Sequence, residues 1–174
     1  AFDMHRVDLT TGAIVLDTVN PGDVVGWATD PNFQIRGAMA QNPKDASTML
    51  RVRDTRDTPW RELLAWPFGE NGGAVDFTAD GKALYVETSI GADTTRLVKV
   101  DVASGKELET IASNPKADVG GVIIHDDTKV VQAVGFTYLK NEWTVLDPSI
   151  KADFDALARV QRGEFYVGTR DRAD

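Results

Sequence analysis

Four aspartates close four similar apolar runs along the chain. Met4-His-Arg-Val-Asp8 is followed by Leu50-Arg-Val-Arg-Asp54, Leu97-Val-Lys-Val-Asp101 and Trp143-Thr-Val-Leu-Asp147, at spacings of 46, 47 and 46 residues. A fixed period in this range marks an array of supersecondary units, none of which can bury its apolar faces alone. A second landmark keeps a similar beat. Thr29-Asp30-Pro31, Ala79-Asp80-Gly81 and Asp126-Asp127-Thr128 each fall between two apolar runs. The turn Asp8-Leu-Thr-Thr-Gly12 returns as Asp101-Val-Ala-Ser-Gly105, with glycine at the position expected to need positive φ.

Within one period the runs read as strands. Residues 75–86 give a short apolar strand, a polar turn at Asp80-Gly81 and a second apolar strand; residues 96–107 add a third strand, a glycine-closed turn and the start of a fourth. Four antiparallel strands in about 40 residues match one blade of a β-propeller. The expected fold is therefore all-β: a partial propeller of about four four-stranded blades, with one short helix near the C-terminus. The expected layout is a half-blade at 2–18, blades at 24–66 and 74–111, a blade at 119–147 followed by a helix at 149–162, and the start of another blade at 164–170. Pro148-Ser149 is expected to cap the helix, Ile150, Phe154, Leu157 and Ala158 share its apolar face, and Gly163 suits the residue past its end. The abrupt start at Ala1 and the unfinished last blade give the chain the look of an excised piece.

The innermost strand of each blade is expected to be buried on both sides, as Val24–Ala28, residues 75–77 and residues 120–124 suggest. Outer strands should alternate, with Arg51, Arg53 and Lys99 toward solvent and Val52, Val98 and Val100 inward. Trp27, Trp60, Trp66 and Trp143 are expected to be core aromatics between blades.

The function classes that composition excludes are clear. A net charge of −8 over 174 residues argues against nucleic acid and anionic membranes as partners, since both need cationic patches. No apolar run approaches the roughly 20 residues of a membrane span, and the opening residues are not expected to act as a signal peptide. Without cysteine there is neither a disulfide nor thiol catalysis.

Few residues could carry chemistry. Ser47, Ser89, Ser104, Ser113 and Ser149 all lack the Gly-x-Ser-x-Gly surround of a nucleophile elbow. His5 and His125 sit in or beside strands; His125, next to Asp126 and Asp127, is the better candidate for metal or acid–base work, and a strand-end turn accounts for it more simply. The run from Asp76 to Asp80-Gly81 has the wrong spacing for a calcium loop and reads as a hairpin. There is neither a Gly-x-Gly-x-x-Gly nor a Walker loop. On these residues no catalytic, cofactor-binding or metal-binding side chain is nominated, and no cofactor is expected.

The combination of Met4-His-Arg-Val-Asp-Leu-Thr-Thr-Gly12, Asp23-Val-Val-Gly-Trp-Ala-Thr-Asp-Pro31, Phe77-Thr-Ala-Asp-Gly-Lys-Ala-Leu-Tyr-Val86 and Thr95-Arg-Leu-Val-Lys-Val-Asp101 resembles the propeller domain of prolyl-oligopeptidase-type serine peptidases, acylaminoacyl-peptidase-like members above all. Val131-Gln-Ala-Val134, the ending from Trp143 to Asp147-Pro148, the helix at 149–162 and Arg170-Asp171 fit the same pattern. The resemblance implies that the propeller gates, and shapes the chamber of, a separate α/β-hydrolase domain carrying a Ser-Asp-His triad. The chain itself would then be non-catalytic. Its partners would be that hydrolase domain and the peptide substrate, with a homodimer through the open propeller edges as a further possibility. A stand-alone β-propeller binding scaffold is the alternative, and a propeller hydrolase with a metal in its channel would want carboxylates and histidines on the innermost strands, where Val24–Ala28 and residues 120–124 offer none.

Overall fold

The computed structural model describes residues 2–160 and 163–169. Among the described residues thirteen strands form four antiparallel sheets, each a simple up-and-down meander. Strands β1 (Met4–Val7) and β2 (Ile14–Thr18) make a hairpin. Strands β3 (Val24–Thr29), β4 (Ile35–Gln41), β5 (Thr48–Val52) and β6 (Arg61–Trp66) make the second sheet. The third contains β7 (Gly72–Phe77), β8 (Ala83–Thr88), β9 (Arg96–Asp101) and β10 (Glu107–Ala112). The last has three strands, β11 (Val119–Ile124), β12 (Val131–Thr137) and β13 (Asn141–Val145). Where the repeat would place a fourth, a 3-10 turn at Pro148–Ile150 leads into helix α1 (Lys151–Val160).

Three of the four recurring aspartates, Asp8, Asp101 and Asp147, cap turns, whereas after Asp54 the Thr58 hydroxyl takes that place. Asp8 Oδ1 accepts the N–H groups of Thr10 and Thr11, and Asp101 Oδ1 accepts the N–H and hydroxyl of Ser104. The N–H of Thr11 and the hydroxyl of Ser104 are the main causes holding these two carboxyls below their ordinary range. Each loop closes with the fifth residue donating back to the first, Gly12 to Asp8 and Gly105 to Asp101, and both glycines have positive φ. The same loop is built at Asn42–Ala46 and at His125–Lys129. Asp147 and not Pro148-Ser149 caps the C-terminal helical segment, its Oδ1 2.9 Å from Ser149 N.

Two cores lie between consecutive sheets. Leu50, Val52 and Trp66 of the second sheet meet Phe77, Leu84, Val86, Val98 and Val100 of the third. Tyr85 and Leu97, from the opposite face of the third sheet, meet Val119, Val131, Val134 and Phe136 of the last. The second strand of each sheet is consequently the most buried, β8 and β12 almost throughout. This corrects the expectation for the first strands: β3, β7 and β11 are mostly half-buried, although side chains of β7 enter both cores, Phe77 the first and Val75 the second. Each carries a β-bulge, at Val25, Val75 and Gly120, which sharpens its twist.

Other expectations are also corrected. Arg53 is buried, since its guanidinium donates to Ile35 O, Arg56 O and Thr18 Oγ1 and lies over the ring of Trp60, tying the N-terminal hairpin to the second sheet. Of the tryptophans only Trp66 is fully buried; its indole N–H donates to Thr88 Oγ1. Trp27 and Trp60 form a half-buried pair. Trp143 is half-buried beneath Phe154, which also meets Phe165, and the Trp143 indole donates to Phe165 O. Leu157 and Ala158 stay exposed. Residues 164–169 form no strand, because Phe165 is drawn over the sheet face and not along its edge; Arg170, Asp171 and the end of the expected helix, 161–162, lie outside the described residues.

The packing of Trp66 gives a direct test. A β-carbon on Gly72 would lie 2.1 Å from the Trp66 ring, whereas one on neighbouring Gly73 would meet nothing within 4 Å. Gly72→Ala should therefore cost about 1–3 kcal/mol in urea unfolding, while Gly73→Ala leaves the midpoint nearly unchanged.

Candidate functional site

The ends of the first strands converge. Strand β3 packs against β7, and beyond their ends a cleft of about 460 Å³ opens between the β3–β4 turn, β7 and the β11–β12 turn. That volume lies in the range of small-ligand sites. Trp27, Phe33 and Val75 supply apolar wall, and Asp76, Asp126, Asp127 and Lys129 supply charge.

The three turns that join first to second strands explain what reaches the cleft. Each needs one residue in the left-handed region: Phe33 (φ 57°), Gly81 (φ 64°) and Lys129 (φ 54°). Only the middle turn uses glycine. The other two hold an aromatic and a lysine there, and both line the cleft. In the β3–β4 turn, buried Asp30 fixes the loop: its Oδ1 accepts from Asn32 N and Gln34 N, and Phe33 N donates to Asp30 O. Phe33 is 79% exposed, so no packing compensates its backbone. In the β11–β12 turn, Lys129 Nζ lies 3.0 Å from Asp76 Oδ2, while Asp76 Oδ1 accepts from Phe77 N.

The residues weighed from sequence sort out plainly. His125 takes the capping place that Asp8 and Asp101 hold in their loops, its Nδ1 accepting from the N–H groups of Asp127 (3.1 Å) and Thr128 (3.3 Å). That makes it a turn residue at the rim of the cleft. Asp80 Oδ1 accepts from Thr78 Oγ1 and Lys82 N, a hairpin turn and not a calcium loop. Ser47, Ser89 and Ser104 donate to Asp45, Glu70 and Asp101 respectively. His5 is exposed on the N-terminal hairpin. Among the described residues no group of three or more His, Asp or Glu side chains is arranged to hold a metal. The sequence reading missed Phe33 and Lys129, whose only signal is the alignment of the three turns on Gly81.

No family model matches the chain. It is 34% identical over 178 residues to dipeptidyl aminopeptidase BIII of Pseudoxanthomonas mexicana, a match that covers 99% of this chain and 25% of the relative. The chain thus spans a quarter of the length of that relative. Among solved structures it resembles TolB from Acinetobacter baumannii with a TM-score of 0.57 and 17% identity, over 82% of this chain and 34% of that one, a likeness of fold alone.

If the Phe33 backbone is strained as its φ indicates, Phe33→Gly should raise stability in urea by up to about 1 kcal/mol, the gain being limited by the extra chain entropy of glycine. A clear loss would show that the ring supports the fold. By fold the chain is an all-β arrangement of the propeller kind, and by sequence it is related along nearly its whole length to a dipeptidyl aminopeptidase.

Proposed function

We propose that this chain is the non-catalytic propeller portion of a serine peptidase of the prolyl oligopeptidase type, gating access to a separate α/β-hydrolase domain and shaping its substrate chamber. The observation that carries the reading is the 34% identity to a dipeptidyl aminopeptidase along 99% of the chain. The geometry supports it in kind: a cleft at the ends of the first strands is large enough for a peptide side chain or a few residues of extended chain. Bulged, half-open first strands suit a passage, whereas fully buried ones would leave no wall for a substrate to touch.

The second reading is a stand-alone binding scaffold. It draws on one observation, the exposed apolar side chains of the N-terminal hairpin, Val7, Ile14 and Leu16, which leave a sheet face suited to association with another chain, including a second copy.

The gating reading is tested in a longer enzyme that contains this segment. Thr29 is exposed at the cleft, and Thr29→Trp would narrow it. Turnover of dipeptidyl substrates should fall several-fold, while labelling of the active-site serine by a small fluorophosphonate keeps its rate. Equal loss of both, or no loss of either, contradicts a gating role.

A further inference from the structure

The cleft already contains a cation of the protein's own. Lys129 reaches from the β11–β12 turn to Asp76 on β7, and both side chains remain partly open to solvent, 20% and 25% exposed. An ion pair still partly open to water is held less firmly than a sealed one, so an incoming cation can displace the lysine. Around the pair the walls are aromatic and apolar, with Trp27, Phe33 and Val75 contributing. Aromatic faces next to a carboxylate favour a guanidinium or ammonium over a neutral or anionic group. The exposed Asp126 at the rim adds to the same sign of field. The two turn positions where glycine would cost least are held by Phe33 and Lys129, so the backbone spends strain to put a ring and a cation in this cleft.

We propose that the cleft is a receptor for a cationic side chain, arginine or lysine, of an extended peptide, and that this side chain takes the place of Lys129 on Asp76. Lys129 then acts as a built-in competitor that keeps Asp76 paired in the empty cleft and sets a threshold for occupancy. The inference rests on the gating reading for its biological meaning, since it names the peptides that the passage would favour; the binding itself is a property of this chain.

The test is calorimetric titration of the chain with N-acetyl-arginine-N-methylamide, and with the corresponding glutamate derivative as control. The arginine probe should bind saturably, more weakly as salt is raised, and the glutamate probe should not bind. Lys129→Ala should tighten arginine binding about two- to fivefold by removing the competitor. Asp76→Asn keeps an oxygen for Phe77 N and should abolish binding with an unchanged melting curve. Absence of arginine binding to both wild type and Lys129→Ala, weaker binding to Lys129→Ala, or equal binding of the glutamate probe overturns the proposal. If arginine fails to bind while Thr29→Trp still blocks peptide turnover in the longer enzyme, the gate stands and the cation receptor falls.

Discussion

Strand β8 is the member on which the arrangement depends. Leu84 and Val86 point into the core shared with the preceding sheet, and Tyr85 points into the core shared with the following one. A strand buried on both faces cannot move without opening two interfaces, so it fixes the third sheet relative to both neighbours. Two residues depart from this apolar pattern, buried Thr88, which accepts the Trp66 indole N–H, and Glu87. Glu87, half-buried at the end of β8, has its carboxyl pushed up by burial. Ionising it costs more in the folded chain than in the unfolded one. Its contribution to stability is therefore most favourable below the ordinary glutamate range and declines as pH rises through the raised folded value.

The site follows from the same stacking. The second strands take most of the burial, the first strands stay half-buried, and β3 and β7 approach one another closely enough for a cleft to open at their ends. The turns at those ends are short and tightly hydrogen-bonded, and each demands a left-handed residue. A turn that rigid can present an unusual side chain at a fixed place, which is how Phe33 and Lys129 come to face the cleft. Function on a rigid scaffold with variable turns is the common pattern of β folds.

Much of this was legible in the sequence for a physical reason. The period of the aspartates reflects capping hydrogen bonds that recur at Asp8, Asp101 and Asp147, so turn chemistry reported the architecture. The order of burial was not legible, because first strands such as Val24-Val-Gly-Trp-Ala28 are as apolar as second strands, and composition does not say which one faces a channel. Arg53 misled because its local pattern is that of a solvent-facing residue; its partners Thr18, Ile35 and Trp60 are distant in sequence. Helix α1 was found by its period, but only Ile150 and Phe154 of the expected face are covered, since Phe165 and Trp143 complete that contact. The cleft's chemistry was hidden in the departure of two turns from glycine, visible only once the three turns are superposed.

Amide hydrogen exchange resolved to single strands tests the central claim most directly. If the cores on the two faces of β8 hold the sheets together, amides of β8 and β12 exchange slowest and through global unfolding, those of β3, β7 and β11 exchange faster, and the hairpin β1–β2 exchanges first. Slowest exchange in the first strands, or equal protection across all three strand classes, would contradict the account.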